Sequence, residues 1–466
     1  PVIDTINDFL WTYVLVAVLL GAGLWFTIRT RGVQFTEFGE MLRLLVRSGR
    51  KYDKQLDRHL PKGKTISSFQ AFAVSLASRV GTGNIAGVAI AIAMGGPGAV
   101  FWMWVVAIIG SSNAFIESTL AQLFKVRGDH SYRGGPAYYI SKGIGSRGYA
   151  VTFAILITIT FGLAFNSVQA NTIALALENT FGTSTLVTAV CLTALSLTII
   201  FGGIQRIARF NEWLVPVMAL FYIMLALYVV ATRISMLPHI LKLIIDNAFG
   251  LEQAMGGSIG MAMIMGVKRG LFSNEAGEGS TPNAAATAAV SHPVKQGLMQ
   301  TLGVYVDTMV VCTATAFIIL CSGLYDSGLT GIVLTEAALS CEIGSFAKYF
   351  LTTAVTMFAF SSIIANYYYG ETNLQFISHS RILVVGFRIT VGTIVFLGSL
   401  AALDLVWALA DITMALMTLC NIIAILILGR YAISCLDDYR RQRRRGLDPQ
   451  YKSSTISSIE NKTECW

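Results

Sequence analysis

Ser78-Arg79-Val80-Gly81-Thr82-Gly83-Asn84-Ile85-Ala86-Gly87 sits inside a mostly apolar segment that runs from about Ile66 to Met94. Three glycines, a threonine and an asparagine interrupt what would otherwise read as one membrane-crossing helix. Breaking a helix inside a bilayer frees backbone N–H and C=O groups. Lipid cannot satisfy them, so a break is tolerated only where it binds something or lines a cavity. The stretch therefore reads as half of a transport site.

The rest of the chain agrees with a membrane setting. Of 466 residues, 54% are hydrophobic and 13% charged, where a soluble domain carries about 25% charged residues. Mean hydropathy is +0.64. The net charge of +8 does not point to nucleic acid, because the basic residues alternate with apolar spans. The seven cysteines are scattered without a CxxC pair, and Cys312 and Cys420 fall inside apolar spans, where packing is the expected role. The first span is long and lacks a basic flank, so a cleavable signal peptide is not expected. Apolar stretches near 10–28, 66–94, 99–124, 150–178, 185–202, 212–232, 255–290, 297–321, 346–370, 382–403 and 405–429 predict about eleven transmembrane helices in an all-α polytopic protein.

Lys and Arg orient these spans. The loop after the first span holds Arg29, Arg31, Arg43, Arg47, Arg50, Lys51, Lys54, Arg58, Lys62 and Lys64, which places it inside and the N-terminus outside. Lys125, Arg127, Arg133, Lys142 and Arg147 mark the next inner connection, then Arg206 with Arg209, Lys295, and Arg381 with Arg388. The loop 322–345 has acidic residues and no Lys or Arg. Arg233, Lys242 and Lys348 run against the pattern on the outer side. The tail after Asp437, with Arg440, Arg441 and Arg443 to Arg445, reads as a disordered cytoplasmic anchor.

A second interruption matches the first: Gly270-Leu271-Phe272-Ser273-Asn274-Glu275-Ala276-Gly277-Glu278-Gly279-Ser280. The two breaks fall in the second and seventh spans, each of which opens a run of five helices, and the runs start on opposite sides of the membrane. Paired interruptions of this kind point to inverted repeats around a midplane site. The expected units are 1–65, a first helix and basic loop; 66–254 and 255–430, the two repeats; and 431–466, the basic tail.

The Gly81-Thr82-Gly83 run with Gly87 resembles a dinucleotide fingerprint only superficially, since no strand precedes it and no βαβ unit surrounds it. Close helix packing through small residues is the plain alternative. Thr82, Asn84 and the matching second break favour a site. Free N–H groups at the start of a half-helix suit a carboxylate, and free C=O groups at the end of one suit an ammonium or Na⁺. Ionisable residues inside spans are functional candidates. Asp307, beside Thr308, is expected to serve a cation or pair with a buried base. Glu275 either shapes the second break or touches substrate. Glu117 is expected to hydrogen-bond a broken helix. Arg79 needs a carboxylate, carbonyl or water partner, and Glu278 has no assigned role. Ser361 and Ser362 either back-bond to their helix or offer hard oxygens to Na⁺. Phe165 and Gln169, four residues apart, share a helix face that could close over a small polar ligand.

Four runs carry a family resemblance: Gly81-Thr82-Gly83-Asn84-Ile85-Ala86-Gly87, Gly95-Gly96-Pro97-Gly98-Ala99-Val100-Phe101-Trp102-Met103-Trp104, Arg133-Gly134-Gly135-Pro136-Ala137, and Leu271-Phe272-Ser273-Asn274-Glu275-Ala276-Gly277. Over about residues 10 to 430 the chain resembles the alanine/glycine:cation symporters, also called sodium:alanine symporters. The resemblance implies a LeuT-like 5+5 inverted repeat with an extra N-terminal helix, in the cytoplasmic membrane of a bacterium or archaeon. It implies uptake of a small neutral amino acid, alanine or glycine first, coupled to Na⁺ or H⁺. It places Thr82, Gly83, Asn84, Ser273 and Asn274 at the substrate, with Phe165 and Gln169 on a pocket helix. Ser361 and Ser362 fall on a cation-site helix of the wider fold. Where the family pattern has a Trp, this chain has Asn366, which implies a larger, more polar pocket open to serine or glutamine. Two other classes find less support. A channel would need rings of like charge or repeated carbonyl loops, and a membrane hydrolase using Asp307 with Glu117 or Glu275 would need paired carboxylates.

Overall fold

A broken helix needs firm ends, and the first broken span has them. Ser67 and Gln70 form a capping box: Gln70 N donates to Ser67 Oγ at 3.1 Å and Ser67 N to Gln70 Oε1 at 3.0 Å, which satisfies orphan donors at the helix start. The helix Ser68–Arg79 then stops at Val80, whose φ of −78° and ψ of 86° leave the helical region. It resumes as Gly83–Gly95 after a bend of 46°. Gly96, at φ 73°, turns the chain and Pro97 starts the next helix.

The computed structural model of the protein describes residues 2–48, 66–128, 131–250 and 259–466. Among the described residues, eight helices are long and apolar enough to cross a bilayer: Thr5–Arg29, Gly98–Leu123, Arg147–Phe181, Gly203–Thr232, Pro293–Ser322, Phe346–Ile377, Arg381–Leu400 and Leu403–Arg444. The bent pair makes a ninth crossing. The two further spans expected from the sequence are the helices Thr185–Ile200 and Ile259–Asn274, of 16 residues each. Sixteen residues rise about 24 Å against about 30 Å of hydrocarbon. The segment 251–258, on which the start of the seventh span was expected, lies outside the described residues.

The helices pack in two groups. One holds both broken spans with Gly98–Leu123 and Pro293–Ser322; the other holds Arg147–Phe181, Thr185–Ile200, Phe346–Ile377 and Arg381–Leu400. Lipid gives no hydrophobic drive between helices, so small residues and close approach do the work. A Cβ on Gly270 would sit 2.6 Å from Val106 Cγ1, so the second broken span lies flat on Gly98–Leu123.

The tail departs from expectation. It was read as disordered after Asp437, yet the last helix runs to Arg444 and the chain to Trp466 folds back on the bundle. Two of the arginines that suggested disorder are paired across the bundle: Arg440 meets Glu37 at 2.7 Å, and Arg443 meets Glu37 at 2.8 Å and Glu40 at 3.1 Å. Tyr451 N donates to Ser291 O at 2.8 Å, and the indole of Trp466 donates to Gln122 O at 2.9 Å beside the ammonium of Lys125. Tail, Lys125 loop and residues 288–295 together form one end of the molecule, the basic end.

Candidate functional site

The first break exposes two backbone donors, and side chains hold both. Gly81 N donates to Asn84 Oδ1 at 2.9 Å, and Thr82 N donates to Gln169 Oε1 at 3.1 Å. Asn84 is thus fixed by its own backbone, and its amide nitrogen points the other way. There Nδ2 donates to Asp307 Oδ1 at 2.6 Å. The other carboxyl oxygen of Asp307 accepts from Ser273 Oγ and Thr308 Oγ1, each at 2.8 Å. Ser273 belongs to the second break, so the two interruptions meet at one buried carboxylate. Glycine makes the meeting possible: a Cβ on Gly83 would lie 3.2 Å from Ser273 Cα and 3.0 Å from the Phe272 ring. Thr82 Oγ1 is buried here without a partner.

Ser362 faces the same break from the Phe346–Ile377 helix. Its hydroxyl donates to Ala77 O at 2.7 Å, a carbonyl at the end of the first half-helix. Ser361 bonds Phe358 O of its own helix at 2.8 Å.

The second break is held from outside. Its chain turns through Glu275, Gly277 and Gly279 at φ 55°, 94° and 87°, left-handed backbone that glycine adopts freely and other residues seldom do. Glu117 of Gly98–Leu123 accepts from Gly277 N at 3.1 Å, Gly279 N at 3.0 Å and Asn421 Nδ2 at 2.8 Å. Glu275 accepts from Ser280 Oγ at 2.6 Å and from Ser78 Oγ at 2.5 Å. Asn274 caps the turn, accepting from Ala276 N at 3.0 Å, and its Nδ2 has no partner. Arg79, fully buried, reaches Gln300 O at 3.0 Å and Thr281 Oγ1 at 3.2 Å.

Asn366 lies beside this cluster. Its Oδ1 is 2.7 Å from Ser78 Oγ, which is also bonded to Glu275. A hydroxyl has one proton, so it cannot donate to both. Turning the Asn366 amide over resolves this: Nδ2 donates to Ser78 while Ser78 donates to Glu275. Either way, one amide atom of a fully buried asparagine stays unpartnered.

An aromatic layer closes the opposite side. Phe165 lies 4.5 Å from Phe272 and 4.5 Å from Phe161, Phe272 lies 4.7 Å from Trp407, and Phe161 lies 5.4 Å from Tyr369. Arg269 stands 4.5 Å over the Trp407 ring and pairs with Asp411 at 2.6 Å. Above them opens a cavity of about 540 Å³, lined among others by Met94, Arg269, Asp326, Asp404 and Trp407.

A family model, the Sodium:alanine symporter family, matches residues 1–453. The chain belongs to this family. It is 49% identical over 466 residues to a Bacillus subtilis protein named as the probable sodium/glutamine symporter GlnT, covering 100% of this chain and 95% of that one. It is 51% identical over 461 residues to the amino-acid carrier protein AlsT of the same organism, covering 99% and 96%. Among solved structures it resembles the manganese transporter of Eremococcus coleocola, with a TM-score of 0.55 at 12% identity over 84% of this chain and 90% of that one. That likeness speaks for the fold alone, which is the LeuT-like one expected. This sodium:alanine symporter family member is a multi-pass secondary transporter and not an enzyme.

The symporter's expected site residues fall into three places. Thr82, Gly83, Asn84, Ser273, Asp307 and Thr308 converge, and Gln169 with Ser362 borders them. Phe165 joins the aromatic layer. Asn274 and Asn366 sit with Glu275 on the basic side of the breaks, and Ser361 bonds its own helix. Sequence reasoning missed Phe272, Trp407 and the Arg269–Asp411 pair, and gave only a packing role to Cys312, whose Sγ lies 3.1 Å from Ser273 Oγ and 3.3 Å from Asn84 Nδ2. Arg269 and Asp411 are charges within apolar segments, the same signal that singled out Asp307.

Proposed function

We propose that this symporter carries a small neutral amino acid inward together with Na⁺. The observation that carries the reading is the convergence on Asp307 of Asn84 from one break and Ser273 from the other. An anionic carboxylate flanked by two hydroxyl oxygens is a hard oxygen set that suits Na⁺. Asn84, Asp307, Thr308 and Ser273 would hold that ion. Ser362, with the Ala77 carbonyl, offers a second oxygen pair, and Ser361 a weaker one.

The substrate carboxylate would take the donors of Gly81 and Thr82, displacing Gln169 Oε1 and Asn84 Oδ1, with Gly83 giving it room. Thr82 Oγ1 and Asn274 Nδ2, both unpartnered and buried, are free for the rest of the molecule, and Phe165 closes over it. Alanine or glycine is the first reading. Glutamine or serine is the second, favoured by Asn366, whose spare amide atom can meet a polar side chain; the GlnT relative is in keeping with it. The basic end is assigned to the cytoplasm by the positive-inside rule, which puts the aromatic layer and its cavity outside. On this reading residues 66–254 and 255–430 are the two repeats, and rocking between the helix groups alternates access.

Uptake of labelled alanine and glutamine into proteoliposomes tests this. An inward Na⁺ gradient should drive accumulation, and choline with an inward H⁺ gradient should not. Accumulation on H⁺ alone overturns the Na⁺ reading. Alanine uptake that tenfold excess glutamine leaves unchanged overturns the polar-pocket reading of Asn366.

A further inference from the structure

Four buried acids lie around the two breaks, and three of them are supplied with donors. Glu117 accepts two backbone N–H groups and an amide, Glu275 two hydroxyls, and Asp307 an amide and two hydroxyls. Glu278 has none. It is 0% exposed, and neither carboxyl oxygen has a hydrogen-bond partner. It stands between Gly277 and Gly279, whose amides both turn to Glu117 instead.

Charge makes the contrast sharper. The groups that act on Glu278 are Glu275 on its own segment, Glu117 on Gly98–Leu123 and Arg79 on Ser68–Arg79. Two phenols act on the neighbouring acids: Tyr139, bonded to Asn421, on Glu117, and Tyr369 of the Phe346–Ile377 helix on Glu275. Arg79 is the one cation of this group; its Nη1 and Nη2 donate to Gln300 O and Thr281 Oγ1, and its Nε has no partner. One guanidinium against three carboxylates would leave two negative charges uncompensated in a dry interior. A buried carboxylate without a donor is the costliest state on offer, and a neutral carboxylic acid avoids it.

We propose that Glu278 is a proton-binding site linked to opening of the basic half, a reading that rests on the transport cycle proposed above. While that half is closed, Glu278 holds a proton. When it opens, water reaches the carboxyl, which gives its proton to that water and becomes a solvated carboxylate; closing takes the proton back from the same side. The closed state binds one more proton than the open one, so the opening equilibrium rises with pH by up to about tenfold per unit.

Two measurements test this. In proteoliposomes with equal Na⁺ and equal pH on both sides, exchange of labelled alanine or glutamine should change severalfold from about pH 6 to 9. E278Q, which fixes the neutral form in the same shape, should flatten that profile and leave the Na⁺ concentration for half-maximal exchange unchanged. A profile that keeps its slope in E278Q overturns the proposal, as does a shifted Na⁺ requirement with the slope intact, which would make Glu278 a cation ligand. Infrared spectra give the second readout. The wild type should show the carbonyl stretch of a protonated carboxylic acid at neutral pH, and E278Q should lose it. No such band in the wild type overturns the proposal whether or not the variant folds. Failure of Na⁺-driven uptake in the wild type would sink the symport reading instead, and the infrared band would still decide the state of Glu278.

Discussion

The two breaks satisfy their backbones in opposite ways. In the first, Gly81 and Thr82 donate to the neutral side-chain oxygens of Asn84 and Gln169. In the second, Gly277 and Gly279 donate to the two carboxyl oxygens of one side chain, Glu117, fixed on a neighbouring helix and braced by Asn421. Hydrogen bonds to a charged acceptor are about twice as strong as neutral ones. A carboxylate can therefore outbid the neutral amides of the first break, whereas a carboxyl group of the protein already fills the second. On the proposed reading, one interruption is built to be entered and the other to keep its shape.

The largest expected effects separate the two. Asn84→Ala and Asp307→Asn should abolish Na⁺-driven uptake with normal expression and a smaller fall in unfolding temperature in detergent than the loss of Glu117 brings. Glu117→Ala should also abolish uptake, but by loosening the protein. Three buried donors lose their acceptor, at about 1–3 kcal/mol each, so the unfolding temperature should fall markedly. If Asn84→Ala destabilises as much as Glu117→Ala, the contrast between the breaks collapses.

Smaller changes sharpen the comparison. Gln169→Ala removes one neutral acceptor at Thr82 N. A bond of about 0.5–1.5 kcal/mol predicts a shift in substrate KM of up to about tenfold, read from uptake at saturating Na⁺. Ser362→Ala should raise the Na⁺ needed for half-maximal uptake severalfold. Ser361→Ala, removing a hydroxyl that bonds its own helix, should change it by less than about twofold. Equal effects from the two serines would place both on the same side of the helix wall.

Much of this was readable in advance, and the reasons are specific. Glycine, threonine and asparagine in an apolar run announce a break, because lipid leaves no other use for them. Asp307 announced itself by its cost. The tail did not, since Arg440 finds Glu37 some four hundred residues away and charge density alone reads as solvated. Nor did the aromatic layer: a phenylalanine or tryptophan in a span looks the same whether it faces lipid, core or ligand. The direction of Ser361 against Ser362 was also hidden, because adjacent helix positions differ only once the neighbouring helix is in place.

Trp407 turns that aromatic layer into something that can be watched. Its indole is almost fully buried between Phe272 and Arg269, with its Nε1 meeting no acceptor. Lifting the layer would bring that N–H to water and slide the cation off the ring. Both changes alter the colour and brightness of tryptophan emission, so on the proposed reading the molecule carries its own optical gauge of when the outer way is open.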